Sequence, residues 1–518
     1  MPAPEGRVAP QLHTSPIFKI RGQQSRYRYP DERMTPEQCV KLTNINKSEF
    51  GTADTRAGLE KYHATAVNNP PVGLLQQDWS TGTAVLIVTK DKVYLDDQGT
   101  EITGSLSLTA GGDDDYYSFA FIRDQVVACN GKDEIWVKDN DVVSSPSNAA
   151  ALTFSGASTV TIQTCDTLIE HKGTLLALAP TEGGTKFRTR IRWSDLDTRT
   201  MVPTITNWPD ANRYELGLDG ESIVGGVENF GMVLVFKADG LYPVHLEYNV
   251  GFIEIRPDTT VRGFHPLSKS IVTRPEFVAC VAREGLVVIR PDLSYEVVTL
   301  GIMDEWLQFN QSRLQYAQGW VSERDHQVKY LMSSSGNTSG HDRILVWDWD
   351  TNDVWVDEVT TNINQGATYL DANVEKDLLG DVDGGLLKSG TQLIDDDGTG
   401  FDWVVHMNPN DLGYPGRTKN IINLRTIYRG RDGQQSATLE VERDQGRLAN
   451  RSKTVNFASA LLTWNDGNNW DNGLRWQTGR NEHDVFFVNR HAEVIAPRWT
   501  GNDPVTLIGY SVEFQLFE

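Results

Sequence analysis

The feature that most constrains this chain is a repeat of short apolar runs broken by polar turns, which sets in near residue 84 and recurs to about residue 390. Val85-Leu-Ile-Val88, a Thr-Lys-Asp-Lys turn and Val93-Tyr-Leu95 form the first instance. Phe119-Ala-Phe-Ile122, Val126-Val-Ala-Cys129 and Ile135-Trp-Val137 form the second. Later instances place Glu170-His-Lys-Gly173 before Leu175-Leu-Ala-Leu178, Glu228-Asn-Phe-Gly231 before Val233-Leu-Val-Phe236, and Arg283-Glu-Gly285 before Leu286-Val-Val-Ile289. The sixth holds Val328-Lys-Tyr330, Ile344-Leu-Val-Trp347 and Val354-Trp-Val356, and the seventh holds Leu378-Leu-Gly380 and Leu386-Leu387. A small meander cannot bury its own faces, so such units must stack. Radial stacking of about four-stranded units gives a β-propeller. The pattern therefore predicts an all-β chain with a β-propeller of about six or seven blades. A long meandering sandwich is the alternative, and regular spacing over some 300 residues disfavours it. Helical periodicity is confined to Ile302–Ala317, where Ile302, Trp306, Phe309 and Leu314 share one face.

Three regions follow. Residues 1–36, rich in Pro, Arg and Gln, read as an N-terminal arm. Residues 37–394 are assigned to the propeller. Past Asp395-Asp-Asp-Gly398 the pattern changes to longer alternating runs (Ile421 to Tyr428, Ala437 to Val441, Val485 to Val488, Tyr510 to Phe514). Residues 395–518 therefore read as a C-terminal β domain, a sandwich in kind.

Charge excludes one function class. Forty-eight basic and 70 acidic residues give −22, the wrong sign for gripping nucleic acid by broad phosphate neutralisation. Cys39, Cys129, Cys165 and Cys280 are scattered, with no Cys-x-x-Cys, so neither a zinc ribbon nor a disulfide scaffold is expected. Met1 to Ile20 lack the apolar run of a secretory signal, and no run of about 18 apolar residues occurs. The expectation is a soluble protein made in a cytosol.

No nucleophile elbow, P-loop, dinucleotide fingerprint or His-Glu-x-x-His is present. His171, His265 and His326 sit beside turns and read as solvated or hydrogen-bonded turn residues. Asp113-Asp-Asp115, Asp348-Trp-Asp350 with Asp353, and Asp395-Asp-Asp397 lack calcium-loop spacing and read as hairpin turns. The strings nearest to a sialidase-type Asp box, Asn465-Asp-Gly-Asn-Asn-Trp470 and Trp193-Ser-Asp195, neither match in register nor repeat. Trp136, Trp347 and Trp355 lie at strand edges, where they serve blade packing rather than sugar stacking. Sequons at Asn46, Asn310, Asn337 and Asn450 carry no meaning without a secretory route. No catalytic, cofactor-binding or metal-ligating residue is nominated, and the reading is of a non-enzyme without cofactors.

A family resemblance adds to this. Cys39-Val-Lys-Leu-Thr-Asn44-Ile-Asn46, Gly51 and Thr55-Arg56-Ala-Gly58-Leu59 resemble the opening of tail proteins of short-tailed bacteriophages. Arg190-Ile-Arg-Trp193-Ser194-Asp195, then Trp208, Glu221-Ser-Ile223-Val-Gly-Gly226 and Val233-Leu-Val-Phe236-Lys237, are similar to a recurring segment of that family. So are Ile344-Leu-Val-Trp347-Asp348 with Trp355, Gly413-Tyr-Pro415 with Lys419, and Leu507-Ile-Gly-Tyr-Ser-Val-Glu-Phe514. The family is the tail nozzle, tail hub or packaged-DNA stabilisation protein. The resemblance implies a virion component that lines the DNA-ejection channel and retains the packaged genome. It implies a homo-hexamer joined to portal and adaptor above and to tailspike or fibre proteins below. Double-stranded DNA would pass through the lumen without sequence-specific binding, and a net-negative wall would keep it centred. A carbohydrate-binding or glycoside-cleaving propeller and a generic interaction propeller are the competing functions.

Overall fold

Seven consecutive meanders of antiparallel strands radiate from one axis in the computed structural model. Strand accounts for 59% of the molecule and helix for 4%, so the chain is all-β. The structure describes residues 12–23, 35, 37–47, 52–64, 66–79, 82–95, 100–122, 124–139, 147–156, 158–197, 202–217, 221–249, 252–390, 395–429, 436–456 and 481–516. Most of the predicted N-terminal arm and the Asn465–Trp470 string lie outside the described residues.

The innermost strands of blades 1 to 5 are Pro71–Trp79, Ser118–Ile122, Thr167–His171, Ile223–Asn229 and Pro266–Arg274. Gln318–Ser322 opens blade 6. Each begins an antiparallel meander that runs outward, as in the blade 2 order Ser118–Ile122, Gln125–Cys129, Trp136–Asp139, Ala150–Ala151. The 19-residue strand Asp353–Asp371 serves two blades. Its first half pairs with His341–Asp348 at the outside of blade 6, and its second half pairs with Val374–Asp381 as the inner strand of blade 7. Blade 7 is finished by Leu59–Lys61, which pairs with Leu386–Ser389 and closes the ring with a strand from ahead of blade 1.

Blade 1 begins earlier than the apolar pattern suggested. Pro71 tolerates an inner strand because only one edge of that strand carries a partner, the other facing the axis. Gly73 is required because a Cβ there would meet the Phe119 ring at 2.7 Å. Gly366 plays the same part between blades 6 and 7, with the Trp320 ring 2.6 Å from its would-be Cβ. Between Ile302 and Ala317 the chain forms only a four-residue α-helix, Met303–Trp306, flanked by 3-10 turns. Ile302, Trp306, Phe309 and Leu314 are all buried there, in one core between blades 5 and 6.

The second unit is a two-sheet sandwich. One sheet has the order Cys39–Thr43, Trp403–Met407, Ile495–Gly501, Ser436–Arg443, Leu448–Asn456. The other has the order Ile45–Lys47, Ala53–Thr55, Thr506–Leu516, Lys419–Arg429, Asn481–Ala492. Leu12–Thr14 and Phe18–Lys19 add to the first-named edge of Thr506–Leu516. Cys39–Thr43, Ile45–Lys47 and Ala53–Thr55, placed in the propeller by the sequence pattern, are thus strands of the sandwich, and so are Leu12–Thr14 and Phe18–Lys19 from the predicted arm, whereas Asp395–Asp396, placed in the C-terminal domain, pairs with Leu59 at the edge of blade 7. Pairing decides this: Cys39–Thr43 pairs with Trp403–Met407 across a register shift between Cys39 and Lys41, Cys39 and Leu42 are buried in the core that holds Trp403 and Met407, and that partner is remote in sequence.

Candidate functional site

Two places concentrate the chemistry: the propeller axis and the seam between propeller and sandwich. Seven inner strands surround an axial cavity of about 660 Å3. At the end where these strands start, Lys269 of blade 5 reaches across to blades 2 and 3. Its Nζ lies 3.4 Å from the Asn130 carbonyl and 3.7 Å from Asp166 Oδ1. At the end where they finish, Glu170 and Glu228 line the wall. Burial holds the Glu228 carboxyl above the usual range, and the neighbouring Glu170 charge adds to it. His171 sits next to them, 2% exposed. Its Nδ1 is 3.6 Å from Glu228 Oε1, beyond hydrogen-bond length, and neither ring nitrogen has a hydrogen-bond partner among the described residues. Burial pushes this imidazole down to about 4, with the Lys172 charge adding to the effect.

His171 is therefore neither solvated nor hydrogen-bonded through its ring, contrary to the turn reading. A strand register that puts it inward from the turn at Lys172-Gly173 explains the difference. His265 and His326 do sit at the surface of turns. His265 meets Glu284 through its backbone N–H at 2.9 Å and through Nδ1, and His326 pairs with Asp350 and stacks on Trp349.

The seam is organised by Arg56. Its guanidinium makes a two-pronged pair with Asp396, at 2.9 and 2.7 Å, and lies 3.8 Å over the Phe401 ring. It donates to Asn44 Oδ1 at 3.0 Å and to the Glu358 carbonyl, on the outer strand of blade 6, at 2.9 Å. Asn44 Oδ1 also accepts the Glu358 N–H at 2.8 Å, and its Nδ2 donates to the Asp402 carbonyl. Gly58 completes the motif, since a Cβ there would lie 2.2 Å from the Asp395 carbonyl. Beside Arg56 is a cavity of about 60 Å3 lined by Arg324, Asp325, Lys329, Asp357 and Asp377. Lys329 pairs with Asp377 at 2.7 Å, and Trp320 Nε1 donates to the same carboxylate at 2.7 Å. Burial pushes Asp357 up to about 6, against the pull of Arg56 and Lys329.

The other motifs behind the resemblance are also buried fastenings. Arg190 and Arg192 share Glu182, at 3.0 Å and 2.7 Å, and so hold the hairpin inserted in blade 3. Trp208 is fully buried and donates to the Ile205 carbonyl. Lys419 is buried and caps three carbonyls, of Tyr414, Arg417 and Glu493, each at 2.8 Å. Trp136 packs against Tyr117 and Phe119, Trp347 against Phe277, and Trp355 lies in the core shared by propeller and sandwich.

The acidic clusters are absorbed by turns and ion pairs. Asp114 holds Arg313 at 2.7 Å and Asp113 holds Lys90 at 3.1 Å. Asp348 Oδ1 accepts the N–H groups of Asp350 and Thr351, and Asp395 Oδ1 accepts that of Gly398. All four cysteines are buried thiols. Among the described residues no helix is long and apolar enough to cross a membrane. The Arg56 seam is the feature sequence reasoning could not place: the Arg-x-Gly string was visible, but its partner Asp396 is 340 residues away.

No family model matches the chain, and no curated protein matches it. Among solved structures it is similar to the Pan2 WD40 domain of Neurospora crassa, at 10% identity over 67% of this chain and 98% of that one, with a TM-score of 0.39. It is also similar to the BBS1N chain of a complex with ARL6DN, at 11% identity over 65% and 96%, with a TM-score of 0.38. The computationally designed Ika8 protein matches at 14% identity over 72% and 99%, with a TM-score of 0.35. The propeller assignment rests on this chain's own strand order.

Proposed function

We propose that the chain is a structural subunit of a short-tailed phage virion, a tail nozzle or hub protein in the wall of the DNA-ejection channel. The observation that carries this reading is the use made of its motifs: Arg56, Arg192, Trp208 and Lys419 are all spent on holding backbone and seam in place. One core runs without interruption from Trp320, Trp355 and Leu379 of the propeller to Leu42, Trp403 and Tyr510 of the sandwich. A body built this way suits a load-bearing wall. Charge supports the same role. Residues 59–397 carry 26 basic and 50 acidic residues, net −24, whereas the rest of the chain carries 22 and 20, net +2. A propeller turned toward the lumen would repel DNA rather than hold it.

Six copies in a closed ring need a head-to-tail interface, and propeller and sandwich supply two unlike surfaces for it. Portal and adaptor would sit on one side of the ring and tailspike or fibre proteins on the other. The role needs no catalysis, so a panel of glycan, peptide and ester substrates should show no turnover. Electron microscopy of virions carrying a tagged copy tests the assignment. Density for six copies around the tail channel is the expected result, and a location outside the tail or another copy number would refute it.

A further inference from the structure

The fold brings together two thiols that lie apart in the sequence. Cys129 ends the second strand of blade 2, Gln125–Cys129, and Cys165 stands two residues ahead of the inner strand of blade 3, Thr167–His171. Both are fully buried in one core between these blades, with Ile135, Leu168 and Trp208. The backbones that carry them run side by side. A Cβ on Gly131 would lie 2.3 Å from Asp166 Oδ1 and 3.6 Å from Asp166 Cα, so the chains approach there within the ~4–7 Å between Cα atoms that a disulfide spans. Lys269 ties the residues that follow the two cysteines, with Nζ 3.4 Å from the Asn130 carbonyl and 3.7 Å from Asp166 Oδ1. Ser118, which pairs with Cys129 in the blade 2 meander, accepts the Leu168 N–H at 3.2 Å and fixes the contact from the inner strands. Burial holds the Cys165 thiol well above its ordinary value, and the Cys129 thiol beside it adds to the effect. Cys39 and Cys280 each lie in a core that holds no second cysteine among the described residues.

We propose that Cys129 and Cys165 are a modification site, a dithiol that closes to a disulfide and clips blade 2 to blade 3 when the protein meets a peroxide. In a reducing cytosol the pair stays as thiols. One sulfur attacks the peroxide O–O bond, which leaves a sulfenic acid and one water. The second sulfur then displaces the sulfenic hydroxyl, which leaves as a second water once it takes up the remaining proton. The two thiols give up two electrons and two protons in all, and the peroxide is reduced. Burial disfavours the thiolate, so closure is slow and runs through local opening of the contact between the blades. The same burial shields the finished bridge from reductant. The inference does not depend on the assembly role and survives its failure.

Peptide mapping of the full chain tests it. The purified protein is treated with hydrogen peroxide in one arm and dithiothreitol in the other, then unfolded in iodoacetamide and digested. After peroxide, a cross-linked peptide pair that contains Cys129 and Cys165 is expected, with Cys39 and Cys280 recovered as single alkylated peptides. After dithiothreitol, all four cysteines should be alkylated. The urea midpoint of the oxidised protein should rise by the equivalent of about a hundredfold in the unfolding constant, as expected when a loop of this length is closed. Dithiothreitol should reverse the rise once the protein is partly unfolded. Cys129→Ala and Cys165→Ala should each abolish the rise, and Cys280→Ala should keep it. Mapping of the parent chain decides the matter where a core variant does not fold. Four alkylated thiols after peroxide would overturn the proposal. So would a bridge to Cys39, to Cys280 or to a second chain, recovery of Cys129 or Cys165 as a sulfinic acid in place of the bridge, or a midpoint rise that persists in Cys129→Ala.

Discussion

The propeller and the sandwich are both antiparallel β, yet they are assembled in opposite ways. Each of blades 1 to 5 is cut from one local stretch of chain, and paired strands lie close in sequence even where hairpins are inserted, as in blade 3. The sandwich is stitched from both ends: Cys39–Thr43 pairs with Trp403–Met407, and Ala53–Thr55 pairs with Thr506–Leu516. The propeller carries all of the net negative charge, and the sandwich with its flanks is close to neutral. Local pairing forms early and cheaply, because little loop entropy is lost, whereas long-range pairing must wait for a fastening that holds remote segments together. Arg56 is placed to be that fastening.

The largest effect should therefore come from Arg56→Ala. It strands the buried Asp396 carboxylate and takes one donor each from Asn44 Oδ1 and the Glu358 carbonyl. A loss of about 3–5 kcal/mol is expected from breaking a buried pair on one side, measured by urea denaturation. A loss under about 1 kcal/mol would mean that the seam is held by apolar packing alone.

A smaller effect is expected inside the propeller. Gly366→Ala drives a methyl into the Trp320 ring and should cost about 1–3 kcal/mol as overpacking. The transition should shift without splitting, since Trp320 belongs to the core that continues into the sandwich.

Acidity separates the two regions further. Asp357, at the seam, has its carboxyl raised to about 6 by burial. The unfolded carboxyl ionises near ~3.9, so the folded state keeps the proton longer. Its contribution to stability is full below the unfolded value and is lost as pH rises through 6. His171, at the axis, is lowered to about 4 by burial. Its unfolded form takes up a proton near ~6.5, so its contribution is full above that value and is lost as pH falls toward 4. Between about pH 4 and 6.5 the two therefore push stability in opposite directions. Asp357→Asn should remove the decline on the alkaline side, and His171→Leu the decline on the acid side, in melting temperature measured across that range. Identical pH profiles for both variants and the parent would contradict the assigned environments.

The smallest effect is expected on the solvent face of the sandwich. Phe487 is 69% exposed on Asn481–Ala492, so Phe487→Ser should change stability by no more than about 0.5 kcal/mol.

This contrast also explains what could be read from the sequence. Runs such as Val126-Val-Ala-Cys129 and Leu286-Val-Val-Ile289 announce central blade strands because both faces are buried. Inner strands are harder to see. Pro71–Trp79 carries Pro71 and Gly73, and Asn364-Gln-Gly366 interrupts the strand shared by blades 6 and 7. Those residues are fitted to the axis and to aromatic rings of the next blade, which no local pattern reveals. The sandwich strands near the N-terminus could not be assigned, because nothing within Cys39–Thr55 states that its partners lie beyond residue 402. His171 was misplaced for a related reason: its burial is set by blade 4, through Glu228 and Tyr248.

The central claim is that propeller and sandwich form one body fastened at Arg56. Hydrogen exchange read by mass spectrometry through a urea titration tests it most directly, because amides of each region report separately. The account predicts that peptides from blades 6 and 7 and from the sandwich strands lose protection at one shared midpoint in the parent protein, and at two midpoints in Arg56→Ala. Separate midpoints already present in the parent, or a shared midpoint that survives the substitution, would contradict it.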